Sequence, residues 1–165
     1  MFKHIWSFRP LLMLTGKLVR LLLIASLPAL IAMPVQANPQ IKDDAMAQRL
    51  IGKHALTLQW LGTGTLRDAG SAEVTAENGI WHLTGRQQTK EGYVTLDGRV
   101  TEVDATTFAF TGKIITNVSY INQGKDCLRD GDFTFAKKAN RKYWRLQQID
   151  NPCDEAADYV DIYLR

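Results

Sequence analysis

From Ala55 to Leu164, apolar and polar residues trade places at intervals of two, the period of half-buried β-strands. "ALTLQWL" sets Leu56, Leu58 and Trp60 on one face, with Thr57 and Gln59 on the other. "AEVTAENGIWHLTG" contains Asn78-Gly79, the pair that best tolerates both positive φ angles of a type I′ hairpin turn. That turn pairs Glu77 with Ile80, Ala76 with Trp81, Thr75 with His82 and Val74 with Leu83. Val74, Ala76, Trp81 and Leu83 then share a face, so turn chemistry and hydrophobic pattern select the same register.

The pattern continues. "YVTLDGRV" turns Val94, Leu96 and Val100 inward, and "FAFTGKI" offers Phe108, Phe110 and Ile114 across an odd-length loop around Asp104. Gly98 and Gly112 lie on the inward parity, where missing side chains let strands bend or pack closely. In "DFTFAKKANRKYWRL", a loop at Ala139-Asn140 sets Phe135 opposite Trp144 and Phe133 opposite Leu146. "DYVDIYLR" places Val160, Ile162 and Leu164 on one face and Tyr159, Asp161 and Tyr163 on the other. One short helix precedes the strands, from Lys42 to Leu50, with Asp43 and Asp44 at its start and Gly52 to stop it. The expected fold is all-β: an antiparallel meander of about seven to nine strands forming a small barrel or strongly curled sheet, since closure removes exposed edges.

The first 37 residues carry Lys3, Arg9, Lys17 and Arg20 and no acid, then the apolar run "LLLIASLPALIAM" and small residues Val35 and Ala37. This is the pattern of a cleaved secretory signal peptide. The run is shorter than the ~20 residues that span a bilayer, and Pro28 and Pro34 interrupt it. Residues 38–165 are then a single barrel-like domain with no transmembrane span, expected in the periplasm or outside the cell. Cleavage changes the charge. The whole chain has 20 basic and 17 acidic residues, but the remainder has 16 against 17, which argues against nucleic acid as a partner. The two cysteines, Cys127 and Cys153, are expected to form a disulfide after export.

Enzyme chemistry finds little support. His54 lies between helix and strand without a ligand-spaced partner, and His82 points outward beside Thr75. No nucleophile elbow, zinc-binding helix motif or phosphate-binding glycine loop occurs, and no cofactor is implied. Acids at Asp126, Asp130, Asp132, Asp150, Asp154, Glu155 and Asp158 read as solvated loops, with a calcium site as the alternative. Lys137, Lys138, Arg141 and Lys142 gather at a hairpin tip, where they blunt a strand edge or attract an anionic partner. The last strands give the candidate binding surface. Tyr143, Arg145 and Gln147 share one parity, and Tyr159, Asp161 and Tyr163 share another. Neighbouring strands would make this an aromatic outer face with Arg145 paired to Asp161. Such residues are enriched at interfaces, though cross-strand aromatic pairs also simply stabilise sheets.

The segments "YINQGKDCLRDGDF", "KYWRLQ", "NPC" and "DYVDIY" resemble those of an uncharacterised group of small exported bacterial proteins. The resemblance covers the chain from about Gly52 onward and implies export and a shared β fold, with no catalytic residues. The architecture is similar, at a distance, to lipocalin-type and avidin-type barrels, but the Gly-x-Trp signature of lipocalins is replaced by "LTLQWLG". Three functions compete. The first is a non-enzymatic exported barrel binding a protein or envelope component through its polar, aromatic surface. The second is a carrier of a small apolar ligand, against which stand the many large inward residues. The third is a hydrolase using acidic residues.

Overall fold

The computed structural model describes residues 38–63 and 65–164, and the expected leader lies outside them. Strand β1 (Gln40–Ile41) leads into helix α1 (Asp44–Leu50). The helix starts two residues later than the sequence suggests because Asp43 serves as its cap, its carboxylate accepting from the Met46 amide at 2.7 Å. The strands that follow are β2 (Gly52–Leu58), β3 (Gly70–Glu77), β4 (Ile80–Thr89), β5 (Gly92–Val103), β6 (Thr107–Val118), β7 (Cys127–Ala136), β8 (Tyr143–Leu146) and β9 (Val160–Tyr163). From β2 to β9 each strand runs antiparallel to the next, and β9 also pairs with β2 through Leu56–Ile162, Thr57–Asp161 and Leu58–Val160. The result is a closed eight-strand barrel. β1 adds a short parallel extension to β5 at Glu102 and Val103.

The first hairpin forms in the expected register, with Asn78 at φ 52° and Gly79 at φ 80°. Ala76, at its tip, is exposed, because the hairpin extends past the packed wall. β5 and β6 also pair as expected, with Val100 opposite Phe110 and Leu96 opposite Ile114, across a loop of residues 104–106. A bulge between Val100 and Glu102 switches the parity of β5 there, so Val103 turns inward as well.

The third hairpin differs. Phe135 faces Leu146, and Ala136 faces Arg145, a slip of two residues from the expected pairing. The tight turn does not form because β7 stays bound to β6: the Lys137 amide donates to the Thr106 carbonyl at 2.7 Å. Residues 137–142 then make a wider loop, with Ala139 at φ 46°. A slip of two preserves parity, so Phe133, Phe135, Trp144 and Leu146 all remain inside.

Aromatic side chains fill one half of the barrel. Phe108 stacks on Phe135 at 4.8 Å, and Trp144 stands edge-on to Phe108 at 5.6 Å. Trp60 and Trp81, expected as core residues, are only partly buried and pack against it. Room for Phe110 comes from a missing pair of side chains. Gly98 and Gly112 face each other across β5 and β6, and a Cβ at Gly98 would lie 2.3 Å from the Thr111 carbonyl and 2.8 Å from the Phe110 ring. Replacing Gly98 by Ala should therefore destabilise the protein by ~1–3 kcal/mol, read from urea unfolding midpoints at unchanged slope. An unchanged midpoint would show that these strands have slack the packing does not suggest.

Candidate functional site

β8 and β9 pair Tyr143 with Tyr163, Trp144 with Ile162 and Arg145 with Asp161. Alternation sends Trp144, Leu146, Val160 and Ile162 into the core and leaves Tyr143, Arg145, Asp161 and Tyr163 on the outer face. There Arg145 grips Asp161 as a fork, with Nε–Oδ1 and Nη2–Oδ2 both at 2.7 Å. Its guanidinium lies 5.2 Å from the Tyr143 ring centre and 4.5 Å from that of Tyr159, and the Tyr143 and Tyr163 rings are 5.3 Å apart. Beneath this cover Asp161 is only 5% exposed, although it points away from the core. Its hydrogen bonds hold the Arg145 pKa above the usual value, against the opposing effect of burial. Arg145 is thus engaged within the sheet. What the face offers outward is tyrosine edges and the exposed Gln147.

The basic loop adjoins this face. The Arg141 guanidinium sits 5.6 Å from the Tyr143 ring, making a row of Arg141, Tyr143, Arg145 and Tyr159. Beside the row runs a groove of about 330 Å³ whose walls include Lys138, Arg141, Arg145, Gln147, Ile149 and Tyr159. Lys138, Arg141 and Lys142 are exposed, and Lys137 is half-buried with Nζ donating to the Ala139 carbonyl at 3.1 Å. The fold therefore brings the tip and the aromatic face together as one continuous surface.

The disulfide Cys127–Cys153 joins the start of β7 to the segment entering β9. Closing a loop of this length contributes ~3–3.5 kcal/mol on the chain-entropy model. Next to it lies a site that sequence reasoning missed. Arg129 shares the inward parity of β7 with Cys127, Phe133 and Phe135, and its side chain enters the barrel. Its Nη1 donates to the Gln148 carbonyl at 2.9 Å, and its Nη2 lies 3.4 Å from Asp158 Oδ2. Thr116 Oγ1 and Asn151 Nδ2 each donate to the same Asp158 oxygen at 3.2 Å. Asn151 in turn accepts from the Cys153 amide at 2.8 Å, which links the ion pair to the disulfide. Burial lowers the Arg129 pKa, and the neighbouring charge of Asp158 opposes that shift. Among the described residues Arg129 Nε and Asp158 Oδ1 are buried without a partner, so the interior here has a polar end beside its aromatic cluster. The signal was present in "CLRDGDFTF", where an arginine occupies an apolar parity.

The remaining candidates separate. Asp158 is buried and paired rather than part of a solvated loop. Asp154 accepts from the Asn122 amide at 2.7 Å, while Asp130 and Asp132 stand exposed on β7. Among the described residues, no three His, Cys, Asp or Glu side chains gather as a metal site. His82 is exposed opposite Thr75. His54 lies inside β2, not in a connection, and is buried, with Nδ1 2.9 Å from the Tyr163 carbonyl and Nε2 2.8 Å from the Leu50 carbonyl. It ties the end of α1 to the end of β9. Asp126 accepts from Tyr93 Oη at 2.7 Å and from Asn117 Nδ2 at 2.8 Å, and these bonds hold its pKa below the usual range.

Two outcomes are expected. Asp158→Asn leaves Arg129 charged and uncompensated, and should cost ~3–5 kcal/mol in denaturant unfolding, whereas Asp158→Asn combined with Arg129→Met should recover most of that loss. Simple additivity of the two changes would mean the pair does not interact. Tyr93→Phe should raise the Asp126 pKa in a carboxyl-resolved NMR titration. The depressed folded pKa means that Asp126 contributes stability above its unfolded pKa and loses it as pH falls through the folded one. This variant should narrow that acid-side loss, and an unmoved Asp126 titration would remove Tyr93 as the cause.

Residues 38–164 match the PM1083 family, and this span contains every segment that suggested a group of small exported proteins. A relative carrying the name Uncharacterized protein PM1083, from Pasteurella multocida (strain Pm70), is 37% identical over 147 residues, which cover 87% of this chain and 94% of the relative. No solved structure matches the chain. With the matched span taking in the whole barrel, both cysteines and the β8–β9 face, the chain belongs to the PM1083 family.

Proposed function

We propose that this protein is an exported, non-enzymatic barrel that binds a protein or another envelope component through the polar and aromatic surface around β8 and β9. The carrying observation is the row of Arg141, Tyr143, Arg145 and Tyr159 alongside a groove of about 330 Å³. Tyrosine and arginine combine contact area with polar tips at low entropic cost, the chemistry of binding hot spots. The fork to Asp161 holds the central arginine rigid, so the surface is organised before a partner arrives. Two further features support the reading. A disulfide suits an oxidising compartment, in keeping with the leader-like first 37 residues. The interior is occupied by Phe108, Phe110, Phe135 and Trp144, all buried, which weighs against a ligand carried inside.

The test uses protein recovered from an exporting host, immobilised and exposed to an envelope extract, with the bound material identified by mass spectrometry. Tyr143→Ala and Tyr159→Ala should each weaken retention of the partner at least tenfold while leaving the unfolding midpoint within about 1 kcal/mol of the parent. Arg145→Ala is a poor probe, because it would leave Asp161 covered and unpaired. Retention unchanged by both tyrosine variants would rule this face out. A bound small molecule that resists them and is released only on unfolding would instead establish the carrier function.

A further inference from the structure

The loop 137–142 borders a second surface, on the far side of Arg141 from the β8 groove. A depression of about 280 Å³ there is lined by Arg49, Lys137, Asn140, Arg141, Lys142 and Leu164. Arg49 comes from the last turn of α1, and the other cations come from the β7–β8 loop, so two separate parts of the chain converge to build it. Sharing Lys142 and Leu164 with it is a second depression of about 360 Å³, whose other walls are Lys53, His54, Ala55, Leu66 and Tyr163, with most of its exposed surface apolar. Leu66 is 57% exposed, among the most exposed large apolar side chains of the described residues.

Among the described residues none of Arg49, Lys137, Arg141 or Lys142 has a carboxylate within ion-pair reach, a condition shared with dispersed cations such as Arg99 and Lys113. What sets these four apart is that they converge on one depression. Like charges gathered without counter-ions repel, and neither the core nor the sheet ladder requires them. A concentrated positive depression opening into an apolar one has the complementary shape of an anionic amphiphile. The second depression falls within the volume range of ligand sites, and the first lies just below it. Two arginines and two lysines meet in the first, and both residue types bind phosphate, the arginines through their planar fork and the lysines as mobile point charges.

We propose that this paired depression binds an anionic phospholipid, with the phosphate among Arg49, Lys137, Arg141 and Lys142 and the start of an acyl chain along Leu66, Tyr163 and Leu164. The site adjoins the β8 groove and shares Arg141 with it, but it also rests on Arg49, Lys142 and Leu66, which do not line that groove. Basic residues near an anionic bilayer each strengthen attachment, and buried methylenes add to it.

Flotation of the exported protein with vesicles tests this directly. It should float with vesicles of equal parts phosphatidylglycerol and phosphatidylcholine and not with phosphatidylcholine alone. Lys142→Glu and Leu66→Ser should each reduce flotation about tenfold, while Tyr159→Ala, which lines neither depression, should leave it unchanged. Both altered positions are exposed, and equal unfolding midpoints would verify that the fold survives. Absence of flotation overturns the proposal. So does a loss with Lys142→Glu alone that inorganic phosphate competes away, which would mean a simple anion site. Binding of an acidic polypeptide, with none to vesicles, would assign the rim to a protein partner instead.

Discussion

Pairing of β2 with β9 is the constraint on which the other features of this molecule depend. Leu56 meets Ile162 and Leu58 meets Val160 across more than half of the chain, and their side chains come together in the core. Without that seam the sheet would keep two free edges, and Asp161 would lose Thr57 as its neighbour on the outer face. Closure also brings β8 and β9 into the wall, which is what lines up Tyr143, Arg145, Asp161 and Tyr163. Because such contacts are far apart in sequence, they carry a larger loop-closure entropy than the hairpins do.

The interior has two characters. One half is a stack of aromatic rings around Trp144, accommodated by the bare backbone at Gly98 and Gly112. The other holds Arg129 and Asp158, with Asn151 connecting them to the disulfide. An ion pair in such a place contributes little net stability relative to apolar side chains of the same volume, but removing either partner is costly. Its geometric effect is plainer: the carboxylate accepts from residues on β6, on β7 and in the segment before β9, so it fixes how that segment enters the barrel.

What could be read from the sequence follows from how local each determinant is. Asn78-Gly79 fixes its own register because both φ angles are set within the turn, and the structure follows it pair by pair. The odd loop near Asp104 and the inward glycines were legible for the same reason. The slip at Phe135 and Leu146 was not, since the hydrogen bond responsible joins Lys137 to Thr106 on a different hairpin. Parity survived that slip, which is why the outer face was recognisable even with the wrong partners. Arg129 and Asp158 were overlooked because charges are normally assigned to solvent, and only the alternation of "CLRDGDFTF" contradicts that assignment. The depression at Arg49 needed three dimensions, as nothing local joins α1 to the loop at 137–142.

The same slip has a mechanical side. β7 is laced to β8 through Phe135–Leu146 and Ala136–Arg145 and, just beyond, the Gln147 amide donating to the Thr134 carbonyl, whereas β5 and β6 are bonded along nearly their whole length. The barrel wall is therefore unevenly sewn, with its thinnest stitching at the strand that carries Tyr143 and Arg145. The covalent clasp between Cys127 and Cys153 encloses this stretch at its other end, tying the chain that enters β9 to the start of β7 where the ladder between β7 and β8 is short. The panel with the fewest ladder pairs in the wall is thus the one that faces outward with its tyrosines, and the fork between Arg145 and Asp161 fastens its far edge to β9.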